Sequence, residues 1–303
     1  MSWSNNNIAI ETLETRKLQS ATFPTAHLSF AAPAATTQPL VHATKAAAKA
    51  AAKPAPVIAE PAVTDSSIRY TSFSSNPLFS NAGPKADDVI QGYVGDCYFL
   101  SSLASIAKTN PALIKKDIKA NTDGTFTVTF LRNGKAEAVV VDSKLPTWSN
   151  GQLAYAGTGA QGSLWVALYE KAYTVFRTHA NSYASIDGGW MSDVFAAFGL
   201  KTSTTMSATT GTALLNSMKT DLKANREVTF AVGNNAKNAP VITNHAYTVV
   251  AVTTDAKGNP INVTLRNPWG VDGAGNDGKN DGYVTITAEQ AKSVMLGEVT
   301  AWA

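Results

Sequence analysis

The chain has 303 residues, enough for one large or two modest domains. Charged residues make up only 16% and the formal net charge is +3, a balance that argues against nucleic acid or an acidic substrate as partner. A single cysteine excludes an intrachain disulfide, no apolar run is long enough to span a bilayer, and the first residues lack the basic-then-apolar pattern of a secretory signal.

Residues 1–65 read as an extension. Ile8 to Thr22 has the pattern of a short amphipathic helix and loosely resembles an N-terminal motif of exported bacterial proteins. Ala31 to Ala62 is rich in Ala, Pro, Thr and Lys, with few large side chains to bury, so it is expected to be a disordered tail, propeptide or export segment. Lys45, Lys49 and Lys53 are three charges in one solvated run, too few to make a nucleic-acid tail. His27 and His42 fall here, outside the expected fold.

Ordered structure is expected from near Tyr70. A Gln, two glycines and an Asp precede the only thiol in Gln91-Gly92-Tyr93-Val94-Gly95-Asp96-Cys97, and the stripe Leu100, Leu103, Ile106, Ala107 predicts a helix beginning at Cys97. Asp96 suits its N-cap. A helix N-terminus with free N–H groups favours a thiolate, and a side-chain amide upstream suits a developing oxyanion. A buried structural Cys at a helix start is the competing reading. Pro111 marks the end region of that helix. Thr125 to Leu131 and Ala136 to Val141, joined by Asn133-Gly134, predict a hairpin. Leu164 to Val175 predicts an amphipathic helix with Glu170 beside its buried stripe, and Met191 to Phe198 a short helix ended by Gly199.

From about residue 200 the pattern turns to strands. A helix over Thr212 to Asn225 precedes strands at Val228 to Val232, Ala246 to Thr253 and Ile261 to Leu265, the last two joined through Lys257-Gly258-Asn259-Pro260. A loop rich in Gly, Asn and Asp fills Val271 to Gly282, then come a strand at Tyr283 to Ile286, a helix capped by Thr287 with Gln290, and a strand near Val299. His245 opens one strand and Asn267 ends the next. If those strands are antiparallel neighbours, the two side chains meet, and the Asn oxygen fixes the tautomer of a His that faces the thiol. Trp269 is placed to cover that contact. Either residue alone favours a structural role; together they favour catalysis.

These residues resemble the calpain family of cysteine proteases. The resemblance runs in order through Gln91-Gly92, Gly95-Asp96-Cys97, Phe99 to Ala104, Val141-Asp142, Leu145-Pro146, Leu164-Trp165, Ala167-Leu168, Glu170 to Tyr173, Ser182-Tyr183, Gly188-Gly189, His245 to Tyr247 and Leu265 to Gly270. It implies an α+β, papain-like, two-lobed cysteine protease: a mainly helical lobe over 66–199 carrying the Cys and a β-rich lobe over 200–303 carrying His and Asn. It implies Cys97 as nucleophile, His245 as base and acid, Asn267 as orienter, Gln91 as oxyanion donor and Trp269 as shield. It also implies calcium, with Gly83, Asp88 and Glu170 as ligands in the first lobe and Asp281 in the second, and no organic cofactor. All-oxygen donors suit that hard ion. Three departures stand out: Tyr283 replaces an expected acid, only Asp272 is left in a shortened loop, and Asn244 replaces the expected Gly before His245. The expectation is a monomeric endopeptidase core acting on proteins or peptides, with no further domain, soluble in the cytoplasm or exported from a bacterial cell. The alternatives are a catalytically silent binding module and a transglutaminase-type acyl transferase, whose third residue is usually Asp.

Overall fold

The computed structural model describes residues 59–236, 239–275 and 278–303. The helical and Lys-run expectations at residues 8–53, with His27 and His42, lie outside them. Six α-helices and eleven strands in three sheets are seen among the described residues.

The chain enters along the body of the protein. Residues 59–64, grouped with the extension by their composition, are fastened by specific contacts. Ala62 bridges Ser182, Glu60 pairs with the buried Lys171 at 2.7 Å, the Tyr70 hydroxyl donates to the Pro61 carbonyl, and Thr64 bonds Tyr155. Strand β1 (Arg69–Ser72) then pairs antiparallel with β5 (Lys144–Thr147).

Helix α1 (Cys97–Thr109) begins at the cysteine as its apolar spacing requires, and Cys97 to Ala107 are all buried. Asn110 ends it and caps α2 (Pro111–Asp117), taking the Leu113 N–H on its side chain. Pro111 therefore starts a helix where the sequence suggested an end: its fixed φ and missing N–H suit a first helical position. The short strand β2 (Ile118–Ala120) leads into the hairpin β3 (Phe126–Arg132) and β4 (Lys135–Val141). Asn133 and Gly134, at φ 52° and 74°, supply the left-handed turn between Arg132 and Lys135. The sheet order is β2-β3-β4. Helix α3 (Trp165–Phe176) packs on it, with Phe130 among Tyr169, Tyr173 and Phe176. Helix α4 (Met191–Ala197) follows.

The remaining strands form one antiparallel sheet, ordered β10 (Tyr283–Thr287), β9 (Pro260–Arg266), β8 (His245–Thr254), β7 (Glu227–Val232), β11 (Met295–Trp302) and β6 (Lys201–Thr205). Helices α5 (Gly211–Lys223) and α6 (Ala288–Val294) pack together and against β9. The expected Thr287–Gln290 capping box starts α6. Buried apolar side chains fall into two clusters. One centres on α1, α3 and the hairpin; the other joins α5 and α6 to the large sheet, through residues such as Leu215, Met218, Phe230 and Leu265. Helix α1 lies where they meet. It packs on β7 and β8, Thr248 donating its hydroxyl to the Ser101 carbonyl at 2.7 Å and Ser105 accepting the Val228 N–H at 3.0 Å.

Candidate active site

Strands β8 and β9 are antiparallel neighbours, Thr248 opposite Arg266, so the start of one lies beside the end of the other. His245 Nε2 stands 2.9 Å from Asn267 Oδ1. Two further contacts fix the amide's orientation: Asn267 Nδ2 donates to the Asp272 carbonyl at 3.1 Å, and the Trp269 N–H donates to Oδ1 at 3.0 Å. Oδ1 is therefore the acceptor, Nε2 carries the hydrogen, and Nδ1 is left as the basic nitrogen. The Trp269 ring lies 4.8 Å from the imidazole and closes it from water, leaving His245 4% and Asn267 0% exposed. Tyr247 covers another side, edge-on at 5.0 Å.

The backbone of Ala246, one residue beyond the histidine, and that of Tyr98 lie close enough to the Cys97 thiol to favour its charged form. The first turn of α1 and the start of β8 thus meet at one point. The loop after α3 joins them: the Gly188 N–H donates to the Gly95 carbonyl at 2.9 Å, and Gly189 lies so close to Tyr98 that a Cβ there would fall 2.4 Å from its ring. Gly92 is as constrained, a Cβ meeting the Tyr155 carbonyl at 2.3 Å. Gln91 sits on the same rim. Its backbone N–H donates to the Pro268 carbonyl at 2.7 Å, and its Nε2 donates one hydrogen to the Val94 carbonyl at 2.7 Å while Oε1 is buried without a partner.

Burial sets the protonation of this site. It holds the His245 imidazole down at about 4, partly opposed by the bond to Asn267. It pushes the Cys97 thiol up to about 12, with the nearby Asp96 adding to the rise. The helix terminus was expected to lower the thiol; desolvation of a side chain 5% exposed outweighs it. Both shifts favour the neutral forms, the thiol and the uncharged imidazole.

Asp96 occupies the N-cap position of α1 without capping it by side chain. Its φ and ψ of −103° and 28° are not the extended geometry that turns a cap side chain onto the helix. The carboxyl is instead buried beside that of Glu170, whose oxygens accept the Ala156 N–H at 3.0–3.1 Å. Burial pushes both acids up, Asp96 to about 8, and proximity raises Glu170 further.

The oxygen donors expected for calcium are engaged elsewhere. Asp88 Oδ2 accepts the Lys85 N–H at 2.9 Å and the Trp165 indole N–H at 3.0 Å. Glu170 faces Asp96 and Ala156, and the Lys115 ammonium lies against Gly83, 2.9 Å from where a Cβ would stand. Asp281 accepts the Tyr283 N–H in a local turn. Asp272 is buried and acts as a brace: its carboxylate accepts the Gly282 N–H at 2.8 Å and its carbonyl holds Asn267. Among the described residues no three His, Cys, Asp or Glu side chains gather as a metal cluster. In this arrangement Asp88 and Glu170 are each held by protein N–H groups, and an ammonium stands beside Gly83.

Comparison with known proteins bears on the same residues. The model of the calpain family cysteine protease matches residues 61–295. The chain belongs to the calpain family of cysteine proteases. Calpain-8 of Mus musculus is 31% identical over 217 residues, 67% of this chain and 30% of that protein. Calpain-14 of Homo sapiens is 29% identical over 206 residues, 65% of this chain and 30% of its own length. The calpain-type cysteine protease ADL1 of Oryza sativa subsp. japonica is 37% identical over 128 residues, 41% of this chain and 6% of that protein. The chain thus matches under a third of the length of these relatives. Among the described residues no helix is long and apolar enough to cross a membrane.

Sequence reasoning missed the contact made through backbone, Gly188 to Gly95, because a backbone donor leaves no mark in residue type. It also missed the partners of Asp87, which is bonded to Arg266 and Tyr283, 179 and 196 positions away.

Proposed function

We propose that this protein is a papain-like, two-lobed cysteine endopeptidase that hydrolyses peptide bonds in proteins through Cys97, His245 and Asn267. The observation that carries the reading is the His245 Nε2–Asn267 Oδ1 contact, with the backbone of the very next residue, Ala246, close to the Cys97 thiol. The two apolar clusters, the second drawn only from residues beyond 200 and the first mostly from residues 68–200 with Ala231, Ala246, Val299 and Ala301 added, support a lobe for each half of the site.

The chemistry follows from a neutral resting pair. As the Cys97 sulfur attacks the substrate carbonyl carbon, its proton passes to His245 Nδ1. The Nε2–H bond to Asn267 holds the ring while it is charged. The oxyanion is met by the Cys97 N–H, in the first turn of α1 where no intrahelical acceptor exists, and by the second hydrogen of Gln91 Nε2. His245 then gives its proton to the leaving amine. A thioester remains on Cys97; His245 draws a proton from water, which attacks the thioester, and the thiol is regenerated with a free carboxylate product. The Trp269 ring keeps bulk water from competing for the Asn267 oxygen. Asn267, rather than an Asp, at the third position favours hydrolysis of this type over a transglutaminase-type transfer, and the intact set of four groups favours an enzyme over a silent binding module.

No step requires a metal ion. Calcium dependence rests on the family resemblance. The test is peptide cleavage by wild type and Cys97→Ala, followed by mass spectrometry of an unstructured protein substrate, with calcium and with chelator. Cleavage that disappears in the variant supports the assignment. Cleavage that persists in Cys97→Ala refutes it.

A further inference from the structure

Arg266 ends β9 one residue before Asn267 and is only 3% exposed. Its Nη2 donates to the Val89 carbonyl at 2.7 Å and its Nε to Asp87 Oδ1 at 3.2 Å. Tyr283, opposite Arg266 in the β9–β10 ladder, donates its hydroxyl to the same Asp87 oxygen. Two residues past Arg266, the Pro268 carbonyl accepts the Gln91 N–H at 2.7 Å, and Gly270 packs on Ile90. Residues 266 and 268 therefore grip the segment that leads into Gln91 and Cys97, while Asn267 between them grips His245. One short stretch of backbone holds both halves of the site.

The cost of this arrangement points to a purpose beyond filling space. Arg266 Nη1 is buried without a partner, and an apolar side chain of similar volume would pack there without desolvating a guanidinium. What a guanidinium adds is direction: it reaches two acceptors on another part of the chain in a fixed fork.

We propose that Asp87, Arg266 and Tyr283 form a clamp that holds Gln91 and Cys97 in register with His245 and Asn267. These three are positioning residues, and the proposal rests on the peptidase reading above. A loosened clamp shifts the oxyanion donors relative to the base, which lowers turnover more than substrate affinity.

The experiment uses the full chain as wild type, Arg266→Lys, Asp87→Asn and Tyr283→Phe, and His245→Ala as reference. Peptidase kcat and KM and the rate of Cys97 carboxymethylation by iodoacetate are measured with chelator and with calcium, alongside Tm. The variants are compared with wild type in whichever medium wild type is active. Arg266→Lys is expected to lose about tenfold in kcat with KM nearly unchanged, and Tyr283→Phe, which removes one oxygen and folds with little change in Tm, a few-fold. In the same variants carboxymethylation of Cys97 is expected to slow towards the His245→Ala rate. Variants that turn over and alkylate like wild type overturn the clamp. If wild type cleaves no peptide in either medium, the peptidase reading fails, and alkylation alone decides: an unchanged rate in Tyr283→Phe then overturns the clamp independently. Should Arg266→Lys fail to fold, Asp87→Asn and Tyr283→Phe carry the same comparison.

Discussion

Replacing Asn267 probes the protonation of the site directly, because its Oδ1 is the one group seen to favour the charged form of His245. The imidazole is held at about 4 rather than 6.5, so charging it inside the site costs about 3 kcal/mol more than in water. The acid limb of kcat/KM, which reports loss of the free base, is therefore expected below 6.5, towards 4. Asn267→Ala removes a hydrogen bond to a charged group, worth about 1.5 kcal/mol, and moves the limb about one pH unit lower. The ring is also freed, so kcat falls by about 10- to 100-fold with the base itself still present. Asn267→Asp places a carboxylate against the ring and moves the limb up by about 1–3 pH units. The assay is initial rates on a fluorogenic peptide from pH 3.5 to 9 for the three proteins. The sign also carries to stability: between pH 6.5 and about 4 the unfolded chain takes up a proton that folded His245 refuses, so wild-type stability falls as pH drops through that window. Identical acid limbs in all three proteins, or a wild-type limb at or above 6.5, refute the reasoning.

Three other changes test other parts of the structure. Glu298 is buried, and burial with the nearby Asp221 pushes its carboxyl up to about 8, so stability is lost as pH rises from 4.5 to 8; Glu298→Gln is expected to gain about 3 kcal/mol at pH 8 and almost nothing at pH 4 in urea melts. Lys171, 1% exposed, holds Glu60 and Asp142 at 2.7 Å each, and Lys171→Met leaves them only the more exposed Lys144, at 3.9 and 3.6 Å; a loss of about 3 kcal/mol is expected, with residues 59–64 becoming sensitive to added protease. Gly92→Ala pushes a methyl into the Tyr155 and Ala154 carbonyls and displaces Gln91; turnover is expected to fall by at least about tenfold, whereas Gly124→Ala, with open space around its Cβ position, leaves turnover unchanged.

Much of the fold was written in local patterns. The stripe after Cys97, the alternation around Asn133-Gly134 and the Thr287–Gln290 box each describe a short element whose stability is set by its own residues, and each stands within a residue or two of its expected place. The His245–Asn267 contact was legible because two facts about strand ends and one assumption, that neighbouring strands run antiparallel, suffice to bring them together. Strand β6 was not legible: Lys201 to Thr205 is polar and exposed, and only its ladder with β11 makes it a strand. The inward turn of Asp96 and the raised thiol depend on how tightly three segments close over them, which no local pattern encodes. The bonds joining Asp87 to Arg266 and Tyr283 depend on which residues end adjacent strands and on what crosses them, and a residue's type alone carries no sign of a partner so far along the chain.

The most direct measurement of the central claim is to trap the covalent intermediate. Wild-type protein is mixed with a slowly hydrolysed peptide ester, quenched in acid and mapped by mass spectrometry. The account predicts one acyl group, on Cys97, that decays to free carboxylate in water and accumulates in Asn267→Ala because its hydrolysis is slowed. An acyl group on any other residue, or peptide turnover with no adduct on Cys97 at any time point, contradicts it.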